Sequence, residues 1–563
     1  MEQYPSLDRI NTILLPIEDG LDTDPYFPPD DSSLFAVDNK WHDETLDEEV
    51  EYKNMLSEAK TQRWKEEIEW RRLSEIFDSD YQVIDENVGA QDVKQGQLGD
   101  CYFLAVLASI ATNAKEELFD ILFTDSREYG LMDFEEKPKI FSIKLLVNGK
   151  YEVIMIDDYV PYNIKKEKIA FCSTYTNNIW AILLEKAFAK INGSYEDIIR
   201  GTATIAYQFL LPYQVKYFDH YGDSKAEMGK TWKKISSRSS AGKYCKKKVK
   251  GSKIKSSKSA LVATCATGKN VKKEDRKKEC KEAGLNFAHA YCLLDSFIID
   301  KDRFGLEEDH KILKIKNPKI STWKGDWSKD SELWTDEIKE FVGFNKADKG
   351  EFYISFNDYC SFFYKTTICF YHPELQFNNI ELSHPPGGRC FVRIFLEEED
   401  KVQFKIVQIQ RFLFPRTFRY KVSPTHFVIA KIHTDKAEII DVANSKINQS
   451  FAVKPKNAFP PGDYVIMVKL DLAHEEINKF NLNIMAVKPI IFHQLLELEE
   501  EEFAGRMIDE AIKKKNKKPK TTPKKTKTGT SSKVVRSGKT KKTKPKTVKK
   551  TCKTKNPKNN KSD

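Results

Sequence analysis

The chain has 563 residues and a formal net charge of +9, but its charges are distributed unevenly. Residues 513–563 contain 22 Lys and Arg and one acidic residue, a charge of +21, which leaves the rest of the chain at −12. No run of 18 apolar residues occurs, so no membrane span is expected. Ten cysteines in so long a chain, after a polar and acidic start, indicate reduced thiols in a cytoplasmic (intracellular) protein rather than a secreted disulfide framework.

Two charged segments precede the first apolar region. Residues 1–45 are acidic and contain prolines, which predicts a turn-rich lead-in. Residues 46–77 are charged but carry apolar positions that predict a helix packed on the core. Those positions are Trp64, Ile68, Trp70 and Leu73.

A glycine-broken segment ends at Cys101 and is followed at once by apolar residues at helical spacing. Cys101 is therefore expected at the first turn of a buried helix, where the helix dipole stabilises a thiolate. Gly99 would allow the sharp turn, and Gln95 would aim its amide at the same place. A lone cysteine at such a position is otherwise usually a small core residue, so catalysis requires a histidine and an orienting amide downstream.

The middle of the chain alternates strand and helix patterns. Ile140–Val147 and residues 153–156 are strand-like, and an amphipathic helix begins at Trp180. Residues 222–284 include a lysine-rich run without acids and predict a solvated insertion that holds one short strand at Leu261–Cys265. Docking of that insertion on an acidic surface is the alternative.

The partners that a thiol nucleophile needs occur in the chain order of papain-like enzymes. His289 lies at a predicted strand start, and Asn317 follows the next strand. The histidine would share the proton of Cys101, the asparagine would orient the imidazole, and Gln95 with the Cys101 N–H would form an oxyanion hole. Taken singly, His289 reads as a core histidine and Asn317 as a turn residue before Pro318.

The last third of the chain changes character. Strand-like runs separated by turns over residues 375–490 predict an antiparallel β-sandwich. Residues 493–512 predict a helix with acids first and bases last. The tail, residues 513–563, is rich in lysine and poor in apolar residues, so it is expected to be disordered. A tether to a polyanion, such as nucleic acid, acidic lipid or microtubules, is one role for it.

The segment Gln95 to Leu104 resembles the nucleophile motif of the calpain family of cysteine proteases, Gln-Gly-x-Leu-Gly-Asp-Cys followed by an aromatic residue, at every fixed position. Residues 180–195 are also similar to calpains. The resemblance implies an α+β protein with a two-lobed papain-like protease core. A helical first lobe (46–215) and a β-rich second lobe (216–370) would be followed by the calpain-type β-sandwich.

The same resemblance implies calcium as a cofactor, since calpain cores bind calcium through carboxylates and carbonyls. Asp92 and Glu185 match the first-lobe carboxylate positions, with a turn residue and an exposed helical charge as the ordinary readings. No EF-hand domain is expected. Two positions depart from the family pattern, because Ala288 replaces the usual glycine before the histidine and Lys319 the usual tryptophan after Asn-Pro.

The sequence thus predicts a calcium-dependent intracellular cysteine endopeptidase that makes limited cuts in protein substrates through a thioester. A calpain-like scaffold with weak or no protease activity, acting through its β-sandwich and basic tail, is the alternative. The sequence leaves the oligomeric state open.

Overall fold

The computed structural model describes most of residues 12–517, with gaps. The chain divides into two units, residues 1–512 and residues 513–563. The second is described only as far as residue 517. Residues 513–517 continue a helix, contrary to the disorder predicted from residue 513, and the rest of the tail lies outside the described residues. Across the described ranges, no helix has the length and apolar character needed to cross a bilayer. The described ranges are 12–36, 56–78, 81–122, 139–220, 225–240, 260–268, 273–320, 323–344, 350–414, 420–434, 436–445, 450–453, 455, 457–493 and 498–517.

The first lobe combines helices with two small antiparallel sheets, ordered β1-β4-β5 and β2-β3. The strands are β1 Ile68–Arg72, β2 Ile140–Val147, β3 Lys150–Asp157, β4 Tyr159–Asn163 and β5 Lys168–Ile169. The α-helices are Asp31–Leu34, Glu58–Glu67, Leu73–Ile76, Cys101–Asn113, Lys115–Leu122, Trp180–Asn192 and Ala203–Leu210, and the 3-10 turns are Ala90–Asp92 and Glu196–Ile198.

The prediction of one helix through residue 77 is wrong, because β1 interrupts it. The alternation of apolar and charged residues in Ile68–Arg72 has the period of a strand, and β1 pairs antiparallel with β4, Trp70 opposite Pro161. Backbone groups of this segment are therefore used in a sheet and are not available to continue the helix Glu58–Glu67.

The helix Cys101–Asn113 lies at the centre of the first lobe. It contains no charged residue, and its buried positions run without a break from Tyr102 to Ala111. A helix that is apolar all round is stable only in the interior of a protein. Phe103 stacks on Phe188 of the helix Trp180–Asn192 with ring centroids 4.2 Å apart. Burial of each such side chain contributes about 1.5–3 kcal/mol, so the nucleophile stands on a rigid element.

The second lobe is built on a six-stranded antiparallel sheet with the order β10-β9-β8-β7-β11-β6. Its strands are β6 Val215–Asp219, β7 Val262–Thr267, β8 Ala290–Ile299, β9 His310–Lys316, β10 Glu351–Ser355 and β11 Phe363–Cys369. Its helices are Lys225–Ser236, Lys273–Glu282, Lys301–Phe304, Asp336–Val342 and Phe356–Phe362.

The lysine-rich insertion predicted over residues 222–284 is too long. Strand β7 is an interior strand of the sheet, hydrogen-bonded to β8 on one side and to β11 on the other. Ala263 and Cys265 are buried in the lobe's core, so this segment is structural. The lysine run at residues 243–258 lies outside the described residues.

Residues 376–493 form two antiparallel sheets, ordered β12-β19-β14-β17 and β16-β15-β18-β13-β20. Phe404 of one sheet and Phe427 of the other meet in a shared core, with ring centroids 5.6 Å apart. The strands are β12 Gln376–Ser383, β13 Cys390–Leu396, β14 Gln403–Gln408, β15 Thr425–Ile432, β16 Ala437–Ser445, β17 Ser450–Val453, β18 Gly462–Leu470, β19 Lys479–Ala486 and β20 Ile491–His493, and a 3-10 turn spans Arg411–Leu413.

The helix predicted over residues 493–512 is displaced along the chain and spans Leu498–Lys517. Residues Ile491–His493 instead pair with β13, which commits their backbone to the five-stranded sheet. Ile508 of the helix is fully buried against an apolar face of this sheet. Arg389 supports the contact by donating two hydrogen bonds to the carboxylate of Asp509, at 3.0 and 3.1 Å.

The lead-in is fixed to the first lobe by buried ion pairs. Lys190 Nζ donates to Asp24 Oδ2 at 2.7 Å, and Lys186 pairs with Asp157. The backbone N–H of Asp24 also donates to Asp157 Oδ2 at 2.7 Å. All four side chains are fully buried, so each charge depends on its partner in place of water.

We therefore expect Asp24→Asn to lower the unfolding free energy of this unit by about 3–5 kcal/mol, because it leaves the Lys190 ammonium buried without its counter-charge. The exposed pair Glu69–Arg71 provides the control, and Glu69→Gln should cost less than about 1 kcal/mol. Urea unfolding followed by tryptophan fluorescence measures both. Equal midpoints for the two variants would show that the buried pair is not a stabilising contact.

Candidate active site

The loop before the nucleophile is held by close backbone contact with residues 170 and 171. A Cβ at Gly96 would lie 2.2 Å from the carbonyl oxygen of Phe171, so no larger residue fits. The N–H of Gln97 donates to the carbonyl of Ala170 at 2.8 Å. The glycine that this loop requires is thus Gly96, for close approach, whereas a Cβ at Gly99 would meet only Ile199 at 3.2 Å.

Cys101 is the first residue of its helix, as the sequence predicts. Its Sγ accepts a hydrogen bond from the backbone N–H of Ala290 at 3.4 Å, a contact between the two lobes. Burial raises the pKa of the Cys101 thiol to about 11, and the Asp100 charge raises it further, while the Ala290 N–H and Lys319 oppose the rise. The predicted stabilisation of the thiolate by the helix dipole is therefore outweighed in this arrangement.

His289 and Asn317 meet at the start of the second-lobe sheet. The ring Nε2 of His289 lies 2.7 Å from Asn317 Oδ1, and both residues are buried. The Asn317 amide is oriented by its Nδ2, which donates to Asn286 Oδ1 at 2.8 Å. Oδ1 is therefore the acceptor, Nε2 carries the proton, and Nδ1 is left as a base.

Burial lowers the pKa of His289 to about 4; the hydrogen bond to Asn317 opposes this shift, and the Lys319 charge adds to it. A thiol with a pKa of about 11 beside such an imidazole stays protonated at neutral pH. The resting pair is neutral. If Cys101 acts as a nucleophile, its proton has to move as the sulfur attacks, with the imidazole as the base.

The usual tryptophan after Asn-Pro is not needed to keep water from the histidine–asparagine bond. Asn317 is 1% exposed and His289 is 7% exposed. Tyr291 packs edge-on against the imidazole with ring centroids 5.0 Å apart. Lys319 itself is exposed, and its backbone N–H donates to Asn317 Oδ1 at 2.9 Å.

Gln95 joins the two lobes on the other side of the nucleophile. Its backbone N–H donates to the carbonyl of Pro318 at 3.0 Å, and its side-chain Nε2 donates to the carbonyl of Leu98 at 2.7 Å. A hydrogen bond from the Gln95 side chain to Asp100 opposes the rise in the pKa of that carboxyl. The structure thus brings together Cys101, His289, Asn317 and Gln95, the four residues that the sequence singles out for catalysis.

Asp92, the first predicted calcium ligand, is saturated by protein donors. Its Oδ1 accepts from Thr176 at 2.9 Å, and its Oδ2 accepts from the Trp180 indole and the Gly89 N–H, both at 3.2 Å. Asn178 Nδ2 is a further donor at 3.5 Å. The side chain is fully buried, and burial raises the pKa of its carboxyl.

Glu185, the second predicted ligand, belongs to a different cluster. Its two carboxyl oxygens accept from the backbone N–H of Cys172, each at 3.0 Å, and it faces Asp100. Burial and the charge of Asp100 raise the pKa of Glu185 well above its usual range, and burial raises that of Asp100 to about 6. The two buried carboxyl groups therefore compete for one proton.

The two carboxyl groups predicted to bind calcium thus lie in separate hydrogen-bonded clusters, and a calcium site on Asp92 and Glu185 stays a prediction. The described residues contain no group of three or more His, Cys, Asp or Glu side chains that could hold a metal ion. Glu185 is also not the exposed helical charge of the alternative reading, since it is 2% exposed. In the sequence, Glu185 lies off the apolar stripe of its helix, and this position did not indicate that its side chain faces the carboxyl group of Asp100.

Three supporting residues were not predicted. Asn286 fixes the Asn317 amide, and Thr267 accepts from the backbone N–H of His289 at 3.3 Å. Asp100 occupies the N-cap position of the Cys101 helix without a side-chain capping hydrogen bond. Only Asp100 had a signal, because it belongs to the nucleophile motif. The others act through tertiary contacts that no local pattern encodes.

Residues 23–370 match the model of the calpain family cysteine protease domain. Among curated proteins, the chain is 29% identical over 313 residues to Calpain-B of Drosophila melanogaster, covering 54% of this chain and 30% of that protein. It is 29% identical over 314 residues to Calpain clp-4 of Caenorhabditis elegans, covering 54% and 38%.

The chain thus spans about a third of the length of these curated relatives. The family match covers well over half of the chain and includes both lobes and all four residues of the site. The chain belongs to the calpain family of cysteine proteases.

Proposed function

We propose that the protein is a cysteine endopeptidase in which Cys101 is the nucleophile, His289 the acid and base, and Asn317 the group that orients the imidazole. One observation carries the proposal. The two lobes meet so that the residue after His289 contacts the sulfur of Cys101, while the histidine is held by a buried hydrogen bond to Asn317.

Acylation follows from this geometry. The Cys101 sulfur attacks the peptide carbonyl carbon while its proton passes to Nδ1 of His289. The oxyanion receives hydrogen bonds from the Gln95 amide and the Cys101 N–H, each such donor being worth about 3 kcal/mol of barrier. As the tetrahedral intermediate collapses, the imidazolium gives its proton to the leaving amine and a thioester remains.

Deacylation uses the same groups. Water gives a proton to His289 and its oxygen attacks the thioester carbon. Collapse of the second tetrahedral intermediate expels the Cys101 sulfur, which takes the proton back from the imidazolium. The carboxylic acid product leaves and the neutral pair is restored.

The context supports protein substrates and limited cleavage. Residues 376–493 place two packed sheets behind the protease lobes, in line with a calpain-type β-sandwich. Eight cysteines within the described ranges carry free thiols, which supports a reducing, intracellular site of action. Contact of the basic tail with a polyanion remains part of the proposal, based on its charge of +21.

A scaffold without activity is the second candidate, and Lys319 favours it. Its positive charge disfavours the imidazolium that forms during catalysis. The buried His289–Asn317 bond favours the enzyme, because an inactive scaffold has no need to orient an imidazole.

Calcium dependence is part of what the family implies, but we assign no ligand role to Asp92 or Glu185. The carboxylate oxygens of Asp92 accept hydrogen bonds from residues 89, 176, 178 and 180. These hydrogen bonds give the carboxylate a structural role.

Cys101→Ala should abolish cleavage of casein, and a thiol-directed epoxide should label the unaltered protein on Cys101. Cys360→Ala is the matched control, because Cys360 is a half-buried thiol on another helix. It should leave cleavage intact. Persistent cleavage by the Cys101 variant would refute the assignment, and absence of an adduct with or without calcium would favour the scaffold.

Lys319→Gln should move the acid limb of the kcat/KM profile to higher pH. The Lys319 charge lowers the pKa of His289, so its removal raises that pKa, and the neutral base is then lost at a higher pH. Lys301→Gln is the control, since β8, ten residues long, separates it from His289 by roughly 30 Å. An unmoved acid limb would mean that another group controls it.

Asp92→Ala should destabilise the protein by about 1–3 kcal/mol for loss of its buried hydrogen bonds, equally in calcium and in a chelator. The exposed Glu86→Gln variant controls for removal of a nearby negative charge. Thermal unfolding in both buffers gives the comparison. A loss of stability confined to the calcium buffer would return Asp92 to a calcium site.

A further inference from the structure

The backbone of Lys319 fixes the direction of the hydrogen bonds around the histidine. Its N–H can only donate, and it lies 2.9 Å from Asn317 Oδ1, which is therefore an acceptor. His289 Nε2 lies 2.7 Å from the same oxygen, so this nitrogen carries the proton of the neutral ring. Nδ1 is then unprotonated. A reversed Asn317 amide would place Nδ2 against the ring and favour the opposite tautomer.

Asn286 holds the other end of the Asn317 amide. Asn317 Nδ2 donates to Asn286 Oδ1 at 2.8 Å, and two oxygens would meet here if Asn317 alone were reversed. Two donors would meet at the Lys319 N–H on the opposite side. Asn317 is buried, so little water is available to replace a lost partner. Both ends of the amide thus favour one orientation.

Two hydroxyl groups fix the backbone of Asn286. Its N–H donates to the Tyr291 hydroxyl at 2.7 Å, and its carbonyl accepts from Thr267 Oγ1 at 2.7 Å. Thr267 is the last residue of β7, and Tyr291 is the second residue of β8, its neighbour in the sheet. The sheet therefore supports Asn286, although this residue lies in the irregular connection that precedes β8.

The same connection is tightly held next to His289. Ala288 has a φ of +51°, in the left-handed region that glycine adopts most freely. A Cβ on Gly268 would lie 2.6 Å from the backbone nitrogen of Ala288. A strained residue persists only where its surroundings over-determine its conformation. Tertiary contacts therefore set the path of residues 286–289.

We propose that Asn286 is a positioning residue of the active site, which keeps Asn317 in the orientation that holds the proton of His289 on Nε2 and leaves Nδ1 as the base. The inference rests on the proposed function and adds a residue beyond the four that the sequence singles out. An unbroken series of short hydrogen bonds carries it, from the two hydroxyl groups through both amides to the imidazole, at 2.7–2.8 Å. In the other tautomer Nδ1 carries a proton and cannot accept one from the thiol.

The first test compares Asn286→Leu, which is similar in size but has no acceptor, with Asn286→Asp, which keeps one. On a quenched fluorescent peptide that the unaltered protein cleaves, Asn286→Leu should lower kcat by about tenfold and change KM by less than about twofold. Asn286→Asp should recover most of kcat.

Asn192→Leu is the matched control, because it also removes a half-buried amide. Asn192 Nδ2 donates to the carbonyl of Phe188 at 2.8 Å, at the end of a first-lobe helix and outside the series of hydrogen bonds described above. The control should lower the unfolding midpoint, as Asn286→Leu does, but leave kcat unchanged.

A second measurement reads the tautomer and needs no activity. NMR of the imidazole nitrogens in a Cys101→Ala protein with isotope-labelled histidine should show His289 with a protonated Nε2 and an unprotonated Nδ1 at neutral pH. Its signals are assigned by their loss in His289→Gln. Asn286→Leu in this background should move both nitrogens towards averaged shifts, which mark exchange between tautomers, and Asn286→Asp should keep the original pair.

Tyr291→Phe tests the support of Asn286 separately. It keeps the ring that packs edge-on against the imidazole but removes the hydroxyl that accepts from the Asn286 N–H. We expect a change in the same direction as for Asn286→Leu and smaller, about threefold in kcat, because the Thr267 contact remains.

An unchanged kcat or an unchanged tautomer in Asn286→Leu would overturn the proposal, as would a loss that Asn286→Asp fails to restore. The NMR measurement also separates this failure from failure of the proposed function. If the unaltered protein cleaves no peptide or protein, the endopeptidase assignment falls, and the imidazole signals still decide whether Asn286 positions Asn317 and His289.

Discussion

Two hydrogen bonds donated by backbone N–H groups hold the lobes together at the candidate active site, and the proposed chemistry depends on them. The Ala290 N–H donates to the Cys101 sulfur, and the Gln95 N–H donates to the carbonyl of Pro318. Each lobe alone carries only part of the machinery. A relative displacement of the lobes by about the length of one hydrogen bond would separate nucleophile from base, with a large loss of rate.

The sequence predicted the parts of the site that are encoded locally. The motif around Cys101 predicted the start of a helix there, and the helix begins at this residue. The chain order predicted that His289 and Asn317 interact, and their side chains are hydrogen-bonded. The pKa shifts of Cys101 and His289 were not predicted, because the argument from the helix dipole did not include the effect of burial. Nor could Glu185 be separated from Asp92, because only tertiary packing decides which carboxyl group each one faces.

The errors in the fold have a similar origin. A short strand was predicted at Leu261–Cys265, close to the observed β7, but it was placed within a solvated insertion because the lysines before it dominate the composition of that segment. Its position between β8 and β11 is a matter of topology, set by pairings far apart in the chain. The C-terminal helix was predicted to begin at His493, which is instead the last residue of strand β20 and pairs with β13.

The buried pairing of Asp24 with Lys190 also limits how the molecule can be matured. Many proteases are switched on when an N-terminal segment is trimmed away. Here a cut that removed Asp24 would remove the carboxylate that pairs with Lys190 in the interior, while the hydrogen bond of its ammonium group to the carbonyl of Met155 would remain. Trimming compatible with a stable enzyme therefore has to stop before the lead-in enters the first lobe.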